Sequence, residues 1–534
     1  MAEKSLGYVN FDSTNVQHDE IEIRVPKDRL NEIKRGQYVL IKSKIEGHVR
    51  NFLARVTSGP LYVPDAVSRD SAFARASILQ ADTVTFRPEF HGVCRAQLMG
   101  EIDIDTLLFT GYNGRPQPQA SALVLTSEQI GKLLGLEEDD MYLGHLAGYE
   151  DVHVKFPSDK NAALPRNLGI FGTVGSGKTN TSQVLIEEAV AAGWAVVVLD
   201  VEGEYVDMDM KCTQKSVETL FKKFAITAEG VSHVDVYHCA NTEPAKKSSK
   251  AFGIRFANID PYLISEIIDL SPAQQEVFLE IHSDLSQRGR KQKPSGFVET
   301  LDDDYTPSAK ITLKDVIDVV DQKLANKATG TSRATLYVLK RRLSKLQRSQ
   351  IFDIRQTMGD YSELLQPNKL SIIDLSGSYS SWINNILIVD LLKSIFKLKK
   401  KMQVKTNVMI VIEEAHSFIS KDNAAKMEET LDVLREISRR GRKRWISLCF
   451  VSQQPSHLPP EIYELCNTKI IHQTTGERNL NAIKNSTGSV NPSLWDEVAV
   501  LGQGQCLFLS SYYKNKPILC SVRPAKCKRR FVDE

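Results

Sequence analysis

The chain has 534 residues, with 68 Lys plus Arg against 66 Asp plus Glu and a formal net charge of +2. That balance excludes a basic histone-like tail and an acidic disordered scaffold, and 42% apolar with 25% charged residues fits a packed protein of roughly three or four domains. No apolar run reaches the roughly 18 residues of a membrane span, and Met1 to Asn10 lacks a signal-peptide core, so a soluble, cytoplasmic protein with no membrane partner is expected.

From Glu20 to about Asp103 the chain reads as short β segments. Ile21, Ile23 and Val25 alternate with polar residues, Tyr38 to Ile41 follows the Arg35-Gly36 turn, and Asp82 to Phe86 alternates again. Close spacing of short strands predicts a small barrel. A helix is predicted over Ser127 to Leu134, and the stretch ending near Val152 reads as a linker.

The next domain opens with the apolar run Leu168 to Phe171, a Gly-rich turn, a helical pattern over Asn180 to Ala192, and the apolar run Ala195 to Leu199. Strand, loop, helix, strand makes a parallel βαβ unit with a buried sheet. Further strands fit at Val234 to Tyr237, Leu370 to Leu375, Val408 to Ile412, Ile446 to Val451 and Lys469 to His472, so the fold class is α/β.

Between about Ile254 and Gln366 the pattern turns helical. Pro261 to Asp269 reads as a helix, Ser271-Pro272 opens another toward Gln287, Thr312 caps a third through Leu324, and Thr335 to Leu346 is a fourth. This block reads as a helical bundle inserted in the α/β domain. The resulting division is 1–150, 151–253, 254–366, 367–512 and a C-terminal extension, 513–534.

The strongest chemical signal is Gly172-Thr173-Val174-Gly175-Ser176-Gly177-Lys178-Thr179, a complete G-x-x-x-x-G-K-[ST] phosphate loop between a strand and a helix. Its backbone N–H groups wrap phosphates at a helix N-terminus whose dipole favours anions, with Val174 and Asn180 inside the contacting stretch. Lys178 is expected to reach the β- and γ-phosphates and Thr179 to bind Mg²⁺, which makes ATP and Mg²⁺ the expected cofactors.

The strand Val408 to Ile412 ends in Glu413-Glu414-Ala415-His416. In phosphate-loop enzymes such a strand brings one acid to the metal and one to the attacking water. Glu413 is assigned to the metal side and Glu414 to water polarisation, although paired acids also open helices simply to suit the dipole. Asp200, at the end of another strand, is a further candidate for the water or the metal.

Glu436 to Arg444 holds five basic residues in six positions, Arg439 to Arg444, before the strand that ends in Ser452-Gln453-Gln454. Such a run is a solvated or phosphate-binding face unless a neighbouring subunit uses it. Phosphoryl transfer gains from a cation on the γ-phosphate, which ring ATPases take from the adjacent copy. Arg439 is the first choice for that finger and Arg442 the second, with Gln453 placed to sense the γ-phosphate or the water. Eight scattered cysteines without a CxxC pair indicate neither disulfides nor a zinc finger. His233 and His238 show no metal-ligand spacing.

In order and spacing these parts resemble the HerA branch of the HerA/FtsK ring ATPases over nearly the whole chain. The resemblance rests on Pro165-Arg166-Asn167-Leu168 leading into the phosphate loop, Asp200-Val201-Glu202-Gly203-Glu204-Tyr205, and Ile372-Ile373-Asp374-Leu375-Ser376. Glu413 to His416, Arg439 to Lys443, Ser452-Gln453-Gln454-Pro455-Ser456, Cys466-Asn467-Thr468-Lys469 and Gly502-Gln503-Gly504 complete it. Two departures are Glu413, where many relatives carry Asp, and Val201-Glu202 in place of the commoner Pro-His.

The resemblance implies a RecA-like core behind a HAS-barrel-like N-terminal domain, and a homohexamer that hydrolyses ATP between subunits to drive double-stranded DNA through its channel. It makes Arg166 a further inter-subunit arginine, the barrel a docking platform, and the segment from about Gly502 a strap across a neighbour. It also implies a separate effector: a NurA-like nuclease in end resection, or a defence subunit in antiviral assemblies. The competing expectation is a ring scaffold in which ATP binding organises the effector and translocation is incidental. DNA-facing candidates are the loops Tyr205 to Lys215 and Phe418 to Lys421, the lysines Lys397, Lys399, Lys400 and Lys401, and the turn Arg288 to Lys291.

Overall fold

The computed structural model describes residues 5–13, 18–65, 67–68, 71–79, 88–111, 114–136, 139–290, 311–326, 332–354, 361–377, 381–417, 419, 428–487, 490, 492–514 and 516–530. They fall into two compact units, one of Met1–Lys155, Val490–Glu497 and Tyr513–Ser521, the other of Phe156–Ser489, Val498–Tyr512 and Val522–Glu534.

In the first unit seven strands are built: β1 (Ser5–Val9), β2 (Glu20–Val25), β3 (Tyr38–Ile45), β4 (His48–Pro64), β5 (Phe90–Asp103), β6 (Leu108–Gly111) and β7 (Ser121–Val124). Their order is β2-β1-β7-β3-β4-β5-β6, and β2 also pairs with β5, so six strands close into a barrel. Residues alternate inward along β5, where small Cys94 and Ala96 pack with Ile21, Ile23, Val39, Ile41 and Phe52 in the bore. The barrel expectation holds, but its strands are not all short. β4 runs for 17 residues and β5 for 14, with register shifts near Ala54 and Ser58 that bend the pair around the closure. Asp82 to Phe86 lies outside the described residues.

Helix α1 (Ala72–Leu79) follows β4, and α2 (Ser127–Leu134) follows β7. α2 starts where Thr126 and Gln129 cap each other's backbone and stops at Gly135, whose φ of 74° only glycine adopts at little strain. The stretch read as a linker is instead a hairpin, β8 (Met141–Leu146) and β9 (Tyr149–Phe156). Val152 and Val154 are buried there, so the polar residues between them mark the exposed face of a strand.

The second unit contributes nine adjacent strands to one sheet. These are β10 (Leu168–Phe171), β11 (Ala195–Asp200), β12 (Val234–Cys239), β13 (Lys250–Phe252), β14 (Leu370–Asp374), β15 (Val408–Ile412), β16 (Ile446–Ser452), β17 (Thr468–His472) and β18 (Gln505–Ser510). The order is β13-β12-β14-β11-β15-β16-β10-β17-β18, and only β18 runs antiparallel. β10, β11, β14, β15, β16 and β17 are buried along their whole length, as inner strands of a parallel sheet covered on both faces are. Parallel pairing sets Phe171 opposite Ser452 and Leu199 opposite Ile412, which aligns the carboxyl ends of β10, β16, β15 and β11. Helix α3 (Lys178–Ala191) follows β10, and α4 (Glu218–Lys223) lies between β11 and β12.

The inserted bundle consists of α5 (Pro261–Ile267), α6 (Pro272–Arg290), α7 (Leu313–Ala325) and α8 (Arg333–Arg348). Thr312 and Asp315 form the capping box of α7, and Leu336, Leu339, Leu343 and Leu346 bury one stripe of α8. Arg288 to Arg290 continue α6 rather than turning, and Lys291 is outside the described residues. Helices α9 (Ser381–Lys400) and α10 (Glu428–Arg440) flank β15 in sequence. Lys399 is not a DNA-facing group: it is buried, and its ammonium donates to the carbonyls of Thr406 (2.5 Å) and Lys405 (3.4 Å) in the loop that leads into β15.

The segment expected to strap a neighbour folds on its own chain. β18 pairs with β17, and residues 522–530 run along α3. Arg523 is fully buried, with ion pairs to Glu187 (2.8 Å) and Glu188 (2.7 Å). Arg523→Ala is expected to cost roughly 3–5 kcal/mol, because Glu187 would stay buried without a counter-charge. Chemical denaturation monitored by circular dichroism checks this, and a loss below about 1 kcal/mol contradicts it.

Candidate functional site

The phosphate loop takes its shape from glycine. Gly175 and Gly177 have φ of 76° and 113°, in the region where side chains strain the backbone, and Gly177 is the N-cap of α3. Inside the loop, Ser176 Oγ donates to the Thr173 carbonyl (2.7 Å), and Lys178 Nζ donates to the same oxygen (2.9 Å). The loop is fixed from outside by the Gln473 carbonyl, which accepts from Thr173 N (2.9 Å) and Oγ1 (3.0 Å), and by Gly504 N, which donates to the Ser176 carbonyl (3.0 Å). A side chain on Gly177 would meet the Gly504 backbone at 3.1 Å, so that close approach requires a glycine. Gly172, Val174 and Thr179 lie in this same loop-to-helix stretch, with Val174 strongly exposed.

His472, at the end of β17, is buried against the loop. Its Nδ1 is 2.9 Å from the Gln505 carbonyl, which can only accept, so Nδ1 carries the proton and Nε2 accepts from Thr181 Oγ1 (2.9 Å). Burial, chiefly, and the nearby Lys178 charge hold its pKa down at about 4, so it is a neutral support for the first turn of α3.

Both strand-end acids lie at the carboxyl edge of the sheet, beside this loop. Glu413 is buried; Tyr205 Oη donates to its Oε2 (2.7 Å) and lies 3.0 Å from Ser182 Oγ. Burial first, and then the charges of Glu414, Asp200 and Glu204, push its pKa up to about 8 against the pull of the Tyr205 hydrogen bond. Glu414 has φ of 45°, a left-handed backbone that a side-chain-bearing residue holds only under constraint. Gln453 Nε2 donates to Glu414 Oε1. The other oxygen, Oε2, is 3.0 Å from His416 Nδ1 but makes no aligned hydrogen bond among the described residues. A buried carboxylate oxygen left open in this way is suited to accept a proton.

Lys178 belongs to the same electrostatic field. Burial lowers its pKa, the carboxylates of Glu414, Glu413 and Glu204 raise it, and the Arg529 charge lowers it. The structure thus brings together Lys178, Glu413, Glu414 and Gln453 from three strand ends, three of which are separated by more than 200 residues of sequence from the fourth.

Other predicted residues are tied to the chain around them. Asp200 is fully buried, and its carboxylate accepts from Gly203 N (2.8 Å), Glu204 N (3.1 Å) and Tyr205 N (2.9 Å). Burial pushes its pKa to about 7 against those donors. With three backbone donors on its oxygens, Asp200 fixes the turn that follows β11. Asn180 turns its side chain to the C-terminal segment, its amide bonding the Arg523 carbonyl (2.8 Å) and Ala525 N (2.8 Å), so only its backbone N–H is left to the phosphates.

Arg439 is exposed, and Arg442 donates to Asn161 Oδ1 (2.6 Å). Arg166 donates to Ser511 Oγ (3.4 Å), and its Nε is buried without a partner among the described residues. Burial and then the Arg442 charge lower its proton affinity, so these two arginines share a region. Among the described residues none of the three bonds residues 172–180 of its own chain.

The loop Tyr205 to Lys215 is no free DNA-facing loop at its start, since Tyr205, Val206 and Met208 are buried. The other proposed loop, Phe418 to Lys421, is outside the described residues save Ile419. Sequence reasoning missed His472, the Gln473 carbonyl and Arg529. His472 closes an apolar strand, where a polar residue could have marked a ligand edge, whereas a backbone carbonyl leaves no signature.

The donors fit a nucleotide carrying Mg²⁺. One hydroxyl, Thr179, and one acid, Glu413, are too few for a protein-built cage, and among the described residues no three His, Cys, Asp or Glu side chains cluster for a metal. Mg²⁺ characteristically keeps waters and phosphates as most of its ligands. Among the same residues no helix is long and apolar enough to cross a membrane.

Residues 141–395 match the family profile for the central domain of helicase HerA. Similar proteins include the DNA double-strand break repair helicase HerA of Sulfolobus acidocaldarius, 22% identical over 496 residues, or 91% of this chain and 88% of that one. The protein of the same name from Pyrococcus furiosus is 22% identical over 424 residues, 70% of this chain and 68% of its own. Among solved structures, VirB4 of Thermoanaerobacter pseudethanolicus aligns with a TM-score of 0.48 at 14% identity, over 72% of this chain and 96% of that chain.

Proposed function

We propose that this protein, whose residues 141–395 match the HerA helicase central-domain profile, is an ATP-driven translocase on double-stranded DNA that works as a ring of six copies. The observation that carries the reading is Lys178 of the phosphate loop within the electrostatic reach of Glu413 and of Glu414, whose left-handed backbone holds it at the strand end. Relatives named as DNA double-strand break repair helicases support DNA as the polymer.

Thr179 and Glu413 would hold a Mg²⁺ ion, which would offset the phosphate charge. Lys178 and the loop N–H groups hold the triphosphate. Glu414 takes the proton of the attacking water, while Gln453, bonded to that carboxylate, connects the water to the γ-phosphate side. A separate effector, a NurA-like nuclease or a defence subunit docked on the barrel, would use the moving DNA.

The test is ATP hydrolysis by the purified protein with and without duplex DNA. Severalfold stimulation is expected; no response to duplex of any length, with effector activity surviving loss of hydrolysis, would instead favour a nucleotide-dependent scaffold. The exposed Arg439, at the end of α10, bonds none of residues 172–180 among the described residues, which supports a finger acting on the adjacent copy. Arg439→Ala alone is expected to lose at least about a hundredfold in turnover. Mixing it with Glu414→Gln protein should recover part of that activity, because some seams then pair an intact arginine with an intact glutamate. A flat response at every mixing ratio assigns Arg439 to structure.

A further inference from the structure

We infer that Arg529, delivered by the chain's own C-terminal segment, is a phosphate-binding residue of the nucleotide site, held on Glu204 until a triphosphate competes for it. The inference rests on the nucleotide reading of this site and deepens it.

The segment is built into the site. Asn180, Gln183 and Glu187 lie three and four residues apart along α3, on one face of the helix that starts at the phosphate loop. All three bond the segment: Asn180 to the Arg523 carbonyl and Ala525 N, Gln183 to the Lys528 carbonyl (3.4 Å), and Glu187 to Cys527 N (2.9 Å). On its other side Lys528 N donates to the Met210 carbonyl (2.7 Å), while Cys212 N (2.9 Å) and Glu229 N (3.0 Å) donate to the Lys526 carbonyl. Residues 523–528 are therefore wedged between the phosphate-loop helix and the loop after β11, and the next residue is Arg529.

Its guanidinium is placed but not used up. Arg529 Nη2 donates to Glu204 Oε1 (2.6 Å), and its Nε is buried with no partner among the described residues. Glu204 stands in the turn anchored by Asp200, next to Tyr205, which holds Glu413. The charges of Glu204 and Arg529 both reach Lys178. Arg529 therefore stands within electrostatic reach of Lys178, and a polyphosphate is the ligand that would offset both charges. A guanidinium fork matches phosphate oxygens through paired N–H donors, and it keeps its charge at any working pH. Glu204 holds the fork in the meantime at the modest strength of a partly exposed pair, weak enough to yield to a triphosphate.

The experiment measures binding of a fluorescent non-hydrolysable ATP analogue to the full-length protein, beside the KM and kcat of hydrolysis. Arg529→Ala is expected to weaken binding about tenfold, equivalent to ~1.4 kcal/mol, and to raise KM more than it lowers kcat. Arg529→Lys should recover part of the loss. Glu204→Gln, which frees the arginine without removing it, should bind the analogue at least as tightly as wild type. Wild-type affinity in Arg529→Ala overturns the inference. So does an equal loss in Glu204→Gln, since that pattern assigns the pair to holding the loop. Failure of the wild type to bind the analogue overturns the nucleotide reading itself, whereas absent DNA stimulation with these binding results intact overturns only the motor.

Discussion

Replacing Lys178 with alanine is expected to reduce ATP turnover by at least about a hundredfold while the protein stays folded. The ammonium is buried and already fixed on the Thr173 carbonyl at 2.9 Å, so it meets a phosphate without reorganising. Three neighbouring carboxylates partly offset the lowering of its pKa by burial. Removing one preorganised donor from a site where charge develops costs about 2.7–4 kcal/mol of transition-state stabilisation. Phosphate release under saturating ATP, with circular dichroism to confirm the fold, provides the measurement. Turnover above a tenth of wild type would remove the loop from the reaction.

Glu414→Gln is expected to separate binding from chemistry. Glutamine keeps the size of the side chain and can still bond Gln453 through its amide oxygen, but it cannot take a proton. A positioned base contributes about 10²–10⁴-fold, so hydrolysis should fall by that order while ATP stays bound, because Lys178 and the loop are untouched. Rapid filtration with radiolabelled ATP should recover unhydrolysed nucleotide on the protein. Fast release of ADP from this variant would move the base elsewhere, with His416, 3.0 Å from the same carboxylate, the next residue to test.

The parts legible in sequence were those written in local pattern. β10, β11, β14, β15, β16 and β17 are buried apolar runs, and α7 declares its start through Thr312 and Asp315. β13 is three residues long and β18 begins beside a glycine turn, too little pattern to stand out. Residue type alone does not show what a side chain meets. Asp200 ends a strand as a catalytic acid would, yet three backbone N–H groups claim its carboxylate, and nothing in the sequence reveals where those donors fold. Lys399 sits in a lysine run but turns inward to carbonyls, since its position on α9 and not its charge decides which way it faces. The position of Glu414 at the carboxyl end of a buried strand was legible from the apolar run before it, but its left-handed backbone was not.

The clamp of residues 523–528 on α3 also bears on the order in which the molecule assembles. Asn180 and the backbone it grips are 343 to 345 positions apart. Contacts of such long range form only after their loop-closure entropy has been met, and they slow folding. The phosphate-loop helix therefore acquires its polar partners late, and a half-folded chain lacks the finished nucleotide cradle. Competence to bind nucleotide would then report that the two distant parts of the polypeptide have found each other.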